Sequence, residues 1–90
     1  MALYPGSFDP ITRAHLDLIE RGARIFDKLY VAVAVNTGKR PLFTMQERVD
    51  LIRHEVAHLE NVEVIAFEGL VVNKARELGC RVLLRGIRTV

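Results

Sequence analysis

Tyr4-Pro5-Gly6-Ser7-Phe8-Asp9-Pro10-Ile11-Thr12-Arg13-Ala14-His15 is the stretch on which the reading of this chain turns. It follows a short apolar run, Met1 to Tyr4, and precedes a series in which Leu16, Ile19, Ala23 and Phe26 recur at helical spacing. A strand therefore runs into a helix through two prolines, a glycine and a cluster of polar side chains. The carboxyl end of a strand is where an open α/β sheet binds its ligand. Pro5 and Pro10 fix φ and each remove a backbone donor, whereas Gly6 lets a ligand approach the main chain closely. Thr12 is the expected N-cap, which puts Arg13, Ala14 and His15 in the first helical turn, where unpaired N–H groups and the helix dipole favour an anion such as phosphate. A capped helix start explains Thr12 and the prolines, but it does not call for Gly6, Ser7, Asp9 and His15 together.

Outward from this junction, the first helix is expected over about Thr12 to Phe26, with Asp17, Glu20, Arg21 and Arg24 on its outer side offering i,i+4 charge pairs. Leu29 to Val35 is a nearly unbroken apolar run, which suits a strand covered on both faces. It ends in Asn36-Thr37-Gly38, a loop signal, with Lys39 and Arg40 directly after. Thr44-Met45-Gln46-Glu47 has the form of a capping box. Val49, Ile52, Val56 and Leu59 mark the inner face of the helix that follows, and Arg48, Asp50, Arg53 and Glu55 are expected on its outer side. His54 and His58 lie one turn apart and are read as surface residues, since no third metal ligand is evident. Val62 to Phe67 reads as a third strand. Val71, Val72, Ala75 and Leu78 give a short helix closed by Gly79, and Arg81 to Leu84 reads as a fourth strand leading into Arg85-Gly86-Ile87-Arg88.

Strands and helices thus alternate, and near-continuous apolar strands argue for right-handed crossovers, a parallel sheet and helices on both faces. The expected fold is an α/β, Rossmann-like doubly wound domain occupying residues 1–90. The polar loops Ser7 to His15, Asn36 to Arg40 and Arg85 to Arg88 each follow a strand's carboxyl end and would gather along one edge.

Ninety residues make one domain at most, and half of them are apolar, enough for a core. A net charge of +2, with both signs interspersed, argues against a nucleic-acid surface and is compatible with small anionic substrates. The single Cys80 cannot form an intramolecular disulfide and reads as a small packed residue. No signal-peptide pattern or long apolar span is visible, so a cytoplasmic protein without a membrane partner is expected.

The strand edge would bring together His15, the hydroxyls of Ser7 and Thr12, Lys39, Arg85 and Arg88, with Asp9 as the one nearby carboxylate. Donors and cations in that proportion suit phosphoryl or nucleotidyl transfer, where catalysis is mostly positioning and neutralisation of charge. Paired carboxylates, a Ser/His/Asp arrangement, a P-loop and a Gly-x-Gly-x-x-Gly turn are not present in the sequence, which speaks against glycosidases, serine hydrolases, P-loop kinases and standard dinucleotide enzymes.

The stretch Tyr4 to Thr12 with His15 resembles the N-terminal signature of the bacterial phosphopantetheine adenylyltransferases, nucleotidyltransferases carrying a Thr-x-Gly-His form of the superfamily's His-x-Gly-His motif. The resemblance continues through Lys39, Pro41, Phe43, Thr44, Glu47 and Arg48 to Arg85-Gly86-Ile87-Arg88, and departs at Ala14, where the family usually has glycine. It implies transfer of adenylate from ATP to 4'-phosphopantetheine with Mg2+, giving dephospho-coenzyme A and pyrophosphate. It also implies strand order 3-2-1-4, with a fifth strand and a Ser/Thr-rich nucleotide motif lying beyond these residues, so that the chain is expected to be an N-terminal portion with slower turnover than a longer form. By motif position His15, Lys39 and Arg88 would be catalytic. Ser7, Phe8, His15, Gly86 and Arg88 would contact ATP. Ser7, Lys39, Leu70, Val71, Val72 and Arg85 would hold the acceptor, although Leu70 to Val72 also fit a plain helix face. No residue is assigned as a metal ligand, and a homo-oligomer, a hexamer in the family, is implied. A relative acting on another phosphorylated acceptor, and a chain that binds nucleotide without turnover, stand as the competing readings.

Overall fold

The computed structural model describes residues 1–35 and 43–85. Its elements are β1 (Ala2–Gly6), α1 (Arg13–Ile25), β2 (Leu29–Ala34), α2 (Met45–Glu55), β3 (Val62–Phe67), α3 (Val71–Leu78) and β4 (Val82–Leu83). The strands form one sheet in the order β3-β2-β1-β4, and every neighbouring pair is parallel. Leu29 lies beside both Ala2 and Val62, so β1, β2 and β3 start level, and β1 ends one residue short of the other two. The alternation and the strand order are those expected from the sequence.

Because successive strand residues face opposite ways, the sheet feeds two separate cores. Ala2 and Tyr4 of β1, Leu29, Val31 and Val33 of β2, and Val64 of β3 pack with Ile19 of α1 and with Val49, Ile52 and Val56 of and beside α2. On the other face Leu3, Ala32 and Phe67 pack with Ala75 of α3. Burial on both faces is why β1 and β2 read as unbroken apolar runs rather than alternating ones. The fourth strand is shorter than expected: only Val82 and Leu83 pair, with Ala2 and Leu3, and both are exposed. The ladder contact reaches one residue further, since the Leu84 N–H donates to the Leu3 carbonyl at 2.9 Å.

Helix ends follow local chemistry. Thr12 caps α1. At α2, Thr44 Oγ1 accepts the Glu47 N–H at 3.1 Å and Glu47 Oε1 accepts the Thr44 N–H at 2.9 Å, a complete capping box. The Thr44 N–H first, and the Thr44 hydroxyl second, hold the Glu47 carboxyl below its ordinary range. Gly79, at φ 76°, ends α3 as the sequence suggests. Of the expected charge pairs on α1, Asp17 meets Arg21 at 3.2 Å, while Glu20 instead reaches His58 at 3.3 Å.

One expectation is overturned. Arg48, read as an outward residue of α2, is 3% exposed. It stands one turn before the buried Ile52, hence on the inward stripe of the helix, and its guanidinium ends among backbone carbonyls at the strand ends.

Candidate active site

β1 delivers its chain to the edge through Pro5 and Gly6, and the turn that follows is unusual at each step. Phe8 adopts φ 47° and the Asp9-Pro10 peptide is cis. A non-glycine residue in the left-handed region costs about 1–2 kcal/mol, so the surroundings must hold Phe8 there. They are visible. The Phe8 ring is 3% exposed, and it meets Tyr4 edge-on at 5.2 Å and His15 at 5.0 Å between centroids. A Cβ at Gly6 would stand 3.1 Å from the Phe8 ring, so the glycine makes room for that ring as well as for a ligand. Asp9 Oδ1 accepts the Phe43 N–H at 2.8 Å, which ties the turn to the segment leading into α2. Arg48 Nη1 donates to the Ser7 carbonyl at 3.0 Å and to the Ala34 carbonyl at 3.3 Å.

His15 occupies the third position of α1 and serves its cap. Its Nδ1 accepts the Thr12 backbone N–H at 3.0 Å and lies 3.0 Å from Thr12 Oγ1, while its own N–H donates to that oxygen at 3.4 Å. An Nδ1 that accepts a hydrogen bond carries no proton, so the neutral ring bears its proton on Nε2. That proton sits on the nitrogen remote from the cap. The same packing pushes the Tyr4 phenol above its ordinary value through burial.

Two cavities flank this strand end. One of about 550 Å³ lies on the α3 side and includes Ser7, Ala34, Phe67, Val71 and Leu83 in its wall. The other, about 610 Å³, lies on the α1 side and includes Tyr4, Phe8, Thr12, Ala14 and His15. Pro5, Gly6 and Arg85 line both, so the end of β1 is the partition between them. This is the place where the chain turns from β2 on one side of β1 to β4 on the other, the switch point at which open α/β sheets bind ligands.

Of the expected site residues, Ser7, Phe8, His15, Val71 and Arg85 are thus brought to one strand edge. Leu70 and Val72 do not line either cavity; they are 70% and 56% exposed, and Val72 contributes to a shallow groove by Cys80 instead. Lys39, Gly86 and Arg88 lie outside the described residues. Sequence reasoning missed Arg48, although its i,i+4 relation to Ile52 was the available signal, and Tyr4, which reads as an ordinary strand residue. Among the described residues no group of three or more His, Cys, Asp or Glu side chains could hold a metal ion. Burial raises the Cys80 thiol, which agrees with a packed residue rather than a nucleophile.

A partition lined by backbone, a helix N-terminus and a fixed N–H donor can hold two ligands end to end and stabilise negative charge where they meet. The cytidylyltransferase-like family model matches residues 3–90. The phosphopantetheine adenylyltransferase of Gloeobacter violaceus is 61% identical over 90 residues, which are the whole of this chain and 56% of that protein. The enzyme of the same name from Heliobacterium modesticaldum is 53% identical over 90 residues, covering 54% of its length. The chain spans about half the length of the curated relatives it matches. Among solved structures, the lipopolysaccharide core biosynthesis protein from Thermoplasma volcanium superposes with a TM-score of 0.68 at 23% identity, over 91% of this chain and 70% of that one, a likeness of fold.

Proposed function

This chain belongs to the cytidylyltransferase-like family, and from that premise we propose that it carries the adenylyl-transfer site of a phosphopantetheine adenylyltransferase. The observation that carries the reading is the pair of cavities meeting over Pro5 and Gly6, one beside the helix N-terminus and one beside α3. ATP would take the α1 side, against Phe8, His15 and the first turn of α1, with Gly86 and Arg88 completing its contacts. 4'-Phosphopantetheine would take the α3 side, its phosphate held by Ser7, Lys39 and Arg85 and its pantetheine arm against Val71.

In this arrangement a phosphate oxygen of the acceptor attacks the α-phosphorus of ATP, and the bond to the oxygen bridging to the β-phosphate breaks. Pyrophosphate departs with the electron pair. The nucleophile is already ionised near neutral pH, so no strong general base is required. His15 Nε2–H is the group suited to meet charge on the departing phosphates, and Lys39 and Arg88 supply further positive charge by motif position. Mg2+ would arrive on the triphosphate, where it neutralises charge on the phosphate oxygens. A cytoplasmic location without nucleic-acid or membrane partners is part of the same proposal, and no helix of the described residues is long and apolar enough to cross a membrane. Assembly into a homo-oligomer, a hexamer by family resemblance, is part of the same proposal.

The test is pyrophosphate release with ATP and Mg2+, with and without 4'-phosphopantetheine. Release that requires both substrates, with dephospho-coenzyme A as product, is expected. Release with another phosphorylated acceptor but not with 4'-phosphopantetheine would move the chain to a different acceptor, and nucleotide binding without any release would leave it a binding module.

A further inference from the structure

Arg48 is the one charged side chain buried among the described residues, and it is placed where it controls backbone rather than solvent. Its Nη1 donates to the carbonyls of Ser7 and Ala34, the residue just beyond β1 and the last residue of β2. No carboxylate forms an ion pair with it among the described residues, and its buried Nε has no hydrogen-bond partner. A cation buried without a counter-ion is unfavourable for folding alone. Its position needs another reason.

We propose that Arg48 is a positioning residue of the site, which fixes the Ser7-Phe8 peptide plane and thereby keeps Phe8 in its left-handed backbone conformation. The peptide group is planar, and in its trans form the C=O and the following N–H point in opposite directions. With the Ser7 carbonyl drawn to Arg48, the Phe8 N–H is turned away from α2. Releasing the carbonyl would let the plane rotate, and Phe8, whose φ of 47° is disfavoured for any residue with a side chain, would relax. The Phe8 ring would then leave its edge-on contact with His15. Arginine suits the task because its long side chain carries one nitrogen, Nη1 with its two hydrogens, to both the Ser7 and the Ala34 carbonyl. The same side chain also bridges the ends of β1 and β2.

The ligand arm of the test rests on the adenylyl-transfer reading, and the backbone arm does not. Isotopically labelled wild type, Arg48→Lys and Arg48→Met are compared by thermal melting, by the Phe8 coupling constant and carbon shifts that report φ, and by titration with ATP and with pyrophosphate. In wild type Phe8 reports a left-handed φ. Arg48→Met is expected to stay folded while Phe8 leaves that region, and to bind ATP at least about tenfold more weakly, about 1.4 kcal/mol. Arg48→Lys, which keeps a charged donor on a shorter side chain, is expected to give intermediate shifts and affinity. Unchanged Ser7 and Phe8 resonances in folded Arg48→Met would overturn the proposal. So would loss of folding in both variants, which would make Arg48 a residue of folding. Wild type that binds neither ATP nor pyrophosphate would count against the adenylyl-transfer reading, while the ligand-free comparison of Phe8 would still decide Arg48.

Discussion

His15 meets two demands with one ring: Nδ1 accepts the Thr12 N–H and completes the cap of α1, and Nε2 is left as the protonated nitrogen. A simple truncation therefore mixes two effects. His15→Ala should lose about 0.5–2 kcal/mol of stability through the cap and on the order of 100-fold to 1000-fold in kcat through the lost donor, with ATP affinity less affected because the helix N-terminus remains. His15→Gln separates them, since glutamine at the third helical position also completes a capping box. It should restore the melting temperature without restoring the rate. Melts beside steady-state pyrophosphate release check this, and a kcat unchanged in folded His15→Ala would remove the histidine from the chemistry. The neighbouring Ala14 is exposed and lines the α1-side cavity. Ala14→Gly should cost about 1 kcal/mol of helix stability while preserving or improving ATP affinity, because a methyl leaves the first turn. Poorer affinity in the folded variant would show a pocket shaped around alanine. At this scale the sequence spoke clearly for Thr12 as the cap of α1 with His15 in its first turn, because capping is local chemistry. It did not reveal that Gly6 accommodates the Phe8 ring, because that contact depends on a φ of 47° which no residue pattern announces.

The second capping box makes an element-scale prediction about acid. Hydrogen bonding from Thr44 holds the Glu47 carboxyl below its ordinary value of 4.5. A depressed folded value means that the ionised carboxylate stabilises α2 in full above about pH 4.5, and that this support is lost as pH falls through the lower folded value. Glu47→Gln keeps a side chain able to cap but removes the titration, so its melting temperature should fall less than that of wild type over the same acid range. Thr44→Ala should cost about 1 kcal/mol at neutral pH and let the Glu47 carboxyl titrate closer to its ordinary value. Identical acid profiles for wild type and Glu47→Gln would deny the carboxylate that role. The elements themselves were legible because caps and apolar runs are local. What was not legible was the face of α2 taken by Arg48: a charged residue beside Val49 reads as solvated unless the carbonyls of Ser7 and Ala34, distant in sequence, are known to lie beneath it. The shortness of β4 was hidden likewise, since Arg81 to Leu84 has a strand's composition and only pairing to Ala2 and Leu3 sets its length.

Across the whole molecule, the site depends on how close α1 sits to the sheet, and Gly22 sets that distance. It is buried on α1, and a Cβ there would stand 3.0 Å from Leu84 Cδ1 and 3.1 Å from Leu29 Cδ2. Leu84 follows β4 and immediately precedes Arg85, which lines both cavities, so the contact couples the helix that carries His15 to the opposite wall of the site. For Gly22→Ala two effects compete. The helix gains about 1 kcal/mol of propensity, and overpacking costs about 1–3 kcal/mol. Leu84 is half-buried and its side chain can turn aside, but Leu29 is fully enclosed between β1 and β3 and cannot. Packing should therefore win, with a net loss of about 1 kcal/mol and a melting temperature lower by about 4–8 °C. The Leu29 and Leu84 methyl resonances and the Arg85 amide should shift together, and ligand binding should weaken in protein that is still folded. A higher melting temperature for Gly22→Ala, with Arg85 unmoved, would show that α1 has room to spare and that the two walls of the site are not coupled through this glycine.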